Sequence, residues 1–132
     1  MVLRLDRETD LLTRLLSRHG VRRLTPVTDP QSVTAALPEV NPDLVLVNLH
    51  LHVIDGYTVL RKIRHWAAGS FMPIIAMTAD ITPGTIERAI DAGATDFVAK
   101  PFNATEILLR VRNMLDSRAL WLQLQRERAA DG

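Results

Sequence analysis

Four polar clusters could carry chemistry in this chain, and each directly follows an apolar run: Asp6-Arg7-Glu8, Asn48 to His52, Thr78-Ala79 and Lys100-Pro101. They supply carboxylates, an amide, a hydroxyl and an ammonium, groups that bind cations or anionic oxygens. The lysine is informative because 14 of the 16 basic residues are arginine and the only lysines are Lys62 and Lys100. In such a chain Lys100 points to a need for a compact ammonium rather than a planar fork. Four histidines, His19, His50, His52 and His65, raise a metal or phosphohistidine reading. His50 and His52 sit two apart, but no third ligand follows by spacing, so structural or exposed histidines are the simpler account. The absence of cysteine excludes disulfides, thiolate zinc sites and cysteine nucleophiles.

The elements that must position these clusters alternate. Val2–Leu5 reads as a strand, and residues 8–19 as a helix with Leu11, Leu12, Leu15 and Leu16 on one stripe, stopped by Gly20. Arg22–Val27 reads as an edge strand because of Pro26. Asp29-Pro30 should open a short helix to about Leu37, with a loop between Pro38 and Pro42. Asp43–Leu49 (DLVLVNL) and Pro73–Thr78 (PIIAMT) suit strands covered on both faces. Tyr57–Trp66 is helical, Pro83 opens a helix ending at Gly93, Asp96–Ala99 is a fifth strand, and Asn103 caps a helix over 104–128. Five strand–helix units imply a parallel sheet with helices on both faces and a functional crevice at the carboxyl ends of the strands.

Composition agrees with one domain. The 132 residues are 47% hydrophobic and 23% charged, enough to bury roughly two-thirds of the unfolded surface. The 16 basic and 15 acidic residues nearly cancel, so no global field favours nucleic acid or anionic lipid. No apolar run approaches the ~20 residues of a membrane span, and the N-terminus MVLRLDRETD is too charged for a signal peptide. A cytoplasmic location is the expectation.

The blocks PDLVLVNLHLHVIDGYTVLRKIR (42–64), PIIAMTA (73–79) and GATDFVAKPF (93–102) resemble, in order and register, the receiver domain of two-component response regulators. The resemblance covers residues 2 to about 116. It implies a flavodoxin-like (βα)5 doubly wound parallel sheet of strand order 2-1-3-4-5. In that family two acidic residues after the first strand and an aspartate after the third hold Mg²⁺, and that aspartate accepts a phosphoryl group. The resemblance places the phosphoryl-binding hydroxyl and lysine at Thr78 and Lys100, a cis bond before Pro101, a backbone-carbonyl ligand at His50 and a switch aromatic at Phe97.

Three positions depart from the family pattern. The phosphoacceptor position is Asn48, and an amide oxygen is a poor nucleophile. The acidic pair is Asp6-Arg7, with a cation in place of the second carboxylate, and His52 replaces a proline. Together the two lost carboxylates and the gained guanidinium change the site by roughly three charge units, which opposes a divalent cation. No cofactor is therefore expected, and Mg²⁺ binding should be weak or absent. The reading is a pseudo-receiver, with Arg7 free to pair with Asp6 where the cation would sit.

The last helix continues past the receiver's end, about 37 Å from Ala104 to Arg128. Residues 1–116 are read as the receiver and 117–132 as an extension for dimerisation or connection to an output domain. Leu108, Val111, Leu115 and Leu122 form a partial heptad seam that Arg118 and Gln125 interrupt. Trp121, beyond the domain edge, asks for a partner surface. By resemblance the dimer face would include Glu87, Asp91, Asp96, Arg110 and Arg112. The function expected is a regulatory domain, not an enzyme, acting through protein–protein contact or homodimerisation without phosphorylation, and without binding nucleic acid or membrane. One alternative is a conventional phosphorylated receiver in which Asn48 is an introduced substitution. A remoter one is a flavodoxin-like cofactor-binding enzyme, disfavoured because 6–10 is acidic and lacks glycine.

Overall fold

Alternation of aliphatic side chains on two central strands builds the molecule. A computed structural model describes residues 2–5, 10–21, 24–26, 32–49, 55–101 and 103–131. The elements run β1 (Val2–Leu5), α1 (Asp10–Arg18), β2 (Leu24–Pro26), α2 (Val33–Val40), β3 (Leu44–Asn48), α3 (Gly56–Trp66), β4 (Ile74–Thr78), α4 (Pro83–Ala92), β5 (Asp96–Ala99) and α5 (Ala104–Asp131). The strands form a parallel sheet ordered β2-β1-β3-β4-β5, with the Pro26-bearing strand at an edge, where a missing donor costs least.

Every residue of β3 and β4 is buried, and successive side chains serve opposite faces. Val45, Val47, Ile74 and Ala76 pack with Val33 and Leu37 of α2, Val59, Leu60 and Ile63 of α3, and Ala89 of α4. Leu44, Leu46, Ile75 and Met77 pack on the other face with Leu16 of α1 and Ile107 and Val111 of α5.

Two boundaries differ from the sequence reading. Helix α2 is described over Val33–Val40, the expected Asp29-Pro30 opening lying outside the described residues, and it runs through Pro38 rather than ending at Leu37. Pro38 removes one backbone donor, but Val33 and Leu37 are fully buried one turn apart and hold the segment on the sheet. The stop is Asn41, left-handed at φ 48, whose N–H donates to Leu37 O at 2.8 Å. Helix α5 reaches Asp131 and spans 28 residues, about 42 Å.

The expected heptad seam is also largely consumed by the fold. Val111 is fully buried, and Leu108 and Leu115 pack against the same core cluster, so these residues face the sheet rather than a partner. Arg118, read from the sequence as an interruption, is buried. One of its terminal nitrogens donates to Ser70 Oγ (3.0 Å) and Phe71 O (2.9 Å), and its Nε lies 3.5 Å from Asp43 Oδ1. The guanidinium sits 5.3 Å from the Trp121 ring centre. Arg118 thus fastens the helix, two residues past the expected domain edge, to the loops that enter β3 and β4.

Candidate functional site

Three of the candidate residues end three adjacent strands. Asn48 closes β3, Thr78 closes β4, and Lys100 follows β5. Asn48 pairs in register with Met77 and Thr78 with Ala99, and neighbouring strands lie about 4.8 Å apart. The backbone continues the ladder past the strand ends, with Leu49 N–H donating to Met77 O at 2.9 Å and Lys100 N–H to Thr78 O at 2.8 Å. Asn48 and Thr78 are buried and Lys100 half-buried. The Lys100-Pro101 bond is cis.

The loops around this crevice are shaped by local polar contacts. The Thr78 hydroxyl accepts from Asp80 N–H at 3.0 Å, the strand-end turn that a threonine in this place makes with its own backbone. Asp80 in turn accepts from Thr82 N–H (3.0 Å) and the Thr85 hydroxyl (2.7 Å), organising the entry to α4. Asp55 caps α3, its Oδ1 accepting from Tyr57 N–H at 3.1 Å. Gly56 is required for a different reason: a Cβ there would lie 2.6 Å from Leu49 Cα and 2.8 Å from Leu49 O. Glycine alone lets the start of α3 press on the backbone that follows Asn48. Arg88 of α4 lies 4.0 Å over the Tyr57 ring and 3.5 Å from Asp55, joining the α3 start to α4.

Asp6, Arg7, His50 and His52 lie outside the described residues. His19 and His65 are exposed. Among the described residues no group of three or more His, Asp or Glu could hold a metal ion.

The candidate interface residues fall on α4, β5 and α5. Glu87, Asp91 and Arg112 are exposed. Asp96 and Arg110 are paired within the chain: one terminal nitrogen of Arg110 donates to both Asp96 oxygens at 2.8 and 2.7 Å, and its Nε donates to Glu106 at 3.2 Å. The Asp96 hydrogen bond is the main cause that holds the Arg110 guanidinium above its ordinary value. Phe97 is half-buried against the α2–α3–α4 side of the core, with Arg110 5.8 Å from its ring centre. Ile90 and Leu109 are exposed apolar residues on α4 and α5.

One positioning residue was missed in the sequence. Arg64 of α3 donates to Gly93 O through Nε (3.1 Å) and a terminal nitrogen (2.7 Å), and burial pushes its guanidinium below the ordinary value. Gly93, at φ +124, leaves no room for a Cβ, which would meet Arg64 Cβ at 2.8 Å. Thr95 then accepts from Ile74 N–H at 3.1 Å, closing the entry to β5.

The family model "Response regulator receiver domain" matches residues 7–112, and the chain belongs to that family. It is 35% identical over 115 residues to the transcriptional regulatory protein KdpE of Mycobacterium tuberculosis, covering 85% of this chain and 49% of KdpE. Against the sensory/regulatory protein RpfC of Xanthomonas campestris it is 34% identical over 100 residues, 74% of this chain and 14% of RpfC. The crystal structure of NtrX from Brucella abortus superposes with a TM-score of 0.82 at 27% identity, covering 96% of this chain and 30% of NtrX. A response regulator structure from Chloroflexus aurantiacus gives 0.77 at 26% identity, covering 87% of this chain and 97% of that one. The chain spans about half the length of KdpE and far less of RpfC and NtrX. Among the described residues no helix is long and apolar enough to cross a membrane.

Proposed function

We propose that this receiver domain regulates by protein–protein contact and does not use an aspartyl phosphate. The observation that carries the reading is the buried amide of Asn48 at the carboxyl end of β3, in the position where the family carries its acceptor acid. An amide oxygen forms no acyl phosphate while it remains an amide. With Asp6-Arg7 in place of an acidic pair, the crevice offers a divalent cation less negative charge than the family pattern does, so Mg²⁺ binding is weak or absent. Thr78 and Lys100 keep the phosphoryl-binding positions, Phe97 the switch position and His50 the backbone-carbonyl position, without the chemistry they would serve.

Signalling then rests on surfaces. The α4–β5–α5 face offers Ile90 and Leu109 among Glu87, Asp91, Asp96, Arg110 and Arg112, a mix of signs suited to an isologous dimer. The extension of α5 adds exposed Leu120 and Leu124 beside Trp121 and Phe71. In this reading residues 1–116 are the receiver body and 117–132 lead to dimerisation or to an output domain of a cytoplasmic regulator. The regulatory names of KdpE and RpfC support an output role.

The test is incubation with acetyl phosphate and Mg²⁺ followed by intact-mass measurement. The expected result is no phosphate adduct on the chain as it stands. A stoichiometric, acid-stable and hydroxylamine-labile adduct would overturn the proposal.

A further inference from the structure

Away from the crevice, α2 and α3 enclose a groove of about 440 Å³ lined by Thr34, Leu37, Thr58, Arg61, Lys62, His65 and Trp66. Its floor is apolar. Leu37 is buried, and Trp66 is half-buried against the core cluster. One lip is basic. Arg61, Lys62 and His65 are exposed and follow at i, i+1 and i+4, so they share about 6 Å of helix.

Two further observations bear on what fits there. No aspartate or glutamate occurs from Gly56 to Ala79, so α3 carries its positive charge without neighbours in sequence to neutralise it. Helix α2 contributes Thr34 and Leu37 to the groove, while its one carboxylate, Glu39, lies outside the lining. A basic lip over an apolar floor complements a ligand with the opposite order of features: carboxylates flanking a bulky apolar side chain. The volume suits one or two such side chains, and the short basic row is too small to track a phosphate backbone, whose binding needs several spaced cations. Isolated exposed charges contribute little, but several converging beside a desolvated aromatic act as an anchor for a partner.

We propose that the α2–α3 groove docks an acidic amphipathic segment of a partner protein, which inserts a bulky apolar side chain over Leu37 and Trp66 while its carboxylates meet Arg61, Lys62 and His65. This surface is separate from the strand-end crevice and from the α4–β5–α5 face. It gives the domain a second contact that needs no phosphorylation.

The test uses the full 132-residue chain and a random 16-residue peptide library displayed on phage. Recovered peptides are synthesised and titrated against the Trp121→Phe variant, in which Trp66 is the remaining tryptophan. The expected result is enrichment of net-acidic peptides with a bulky apolar residue. They should change Trp66 fluorescence and lose at least tenfold in affinity to an Arg61→Gln/Lys62→Gln variant and to added salt. Both substitutions are at exposed positions, and circular dichroism checks that the variant is folded. Failure of any groove-dependent peptide to emerge, enrichment of neutral or basic peptides, or equal binding by the double variant overturns the proposal. So does a Trp66 response to duplex DNA or phosphatidylglycerol vesicles in place of acidic peptides.

Discussion

The two ends of the sheet are held by different chemistry. At the entry end, where β3, β4 and β5 begin, arginine side chains reach carbonyl oxygens: Arg118 binds Phe71 O and Arg64 binds Gly93 O. The planar guanidinium donates to carbonyls in the turns that lead into β4 and β5. At the exit end short polar groups turn the backbone instead, with Thr78, Asp80 and Asp55 accepting from N–H groups two residues on. Among the described residues the entry end is fixed by arginine contacts between elements distant in sequence, whereas the exit end adds these local turns to the link that Arg88 makes from α4 to Asp55 and Tyr57. Signalling sites are built at the exit end, where a loop can change without unfastening the core.

Substitutions can break this comparison. The largest effect is expected for Gly56→Ala, because the new Cβ meets backbone, which cannot rotate away; a loss of about 3 kcal/mol in urea unfolding is the expected outcome. That would show one exit-end contact to be as demanding as any at the entry end. Arg118→Ala should follow at about 2 kcal/mol, since it removes the buried hydrogen bonds to Phe71 O and Ser70 Oγ and the contact with Asp43. Amide exchange along residues 117–131 should rise in the same variant, while α3 stays protected. Arg64→Ala should cost about 1 kcal/mol from the bared Gly93 carbonyl. The smallest change is Asp96→Asn, about 0.5 kcal/mol or less, because the Arg110 pair is partly exposed and screened. Its denaturation midpoint should move toward wild type as salt is raised.

Much of the exit end was legible in the sequence because it is written in contiguous blocks. DLVLVNL and PIIAMT announce buried strands by unbroken aliphatic runs, and the residues that follow them must face the crevice. The entry end was harder to read, since its contacts join residues 29 and 47 positions apart. Even so, one signal was present. Arg118 falls seven residues after Val111, on the stripe that also carries Ile107, so helical geometry turns it toward the body. Reading its charge as an interruption gave the polar head more weight than the position. Helix α2 was misjudged for a similar reason: Pro38 looked like a stop, but burial of Val33 and Leu37 outweighs one lost hydrogen bond. Trp121 was legible as a residue needing cover, because a helix this long outruns the sheet it packs on, whereas the exposed Leu120 and Leu124 emerge only from the structure.

The central claim concerns Asn48 and the crevice charge. Its most direct test is amide NMR of the chain titrated with beryllofluoride in the presence of Mg²⁺, a mimic of an aspartyl phosphate. The account predicts no saturable shifts at Asn48, Thr78, Ala79 and Lys100. Saturable shifts at all of these positions, abolished by chelating the metal, would contradict it.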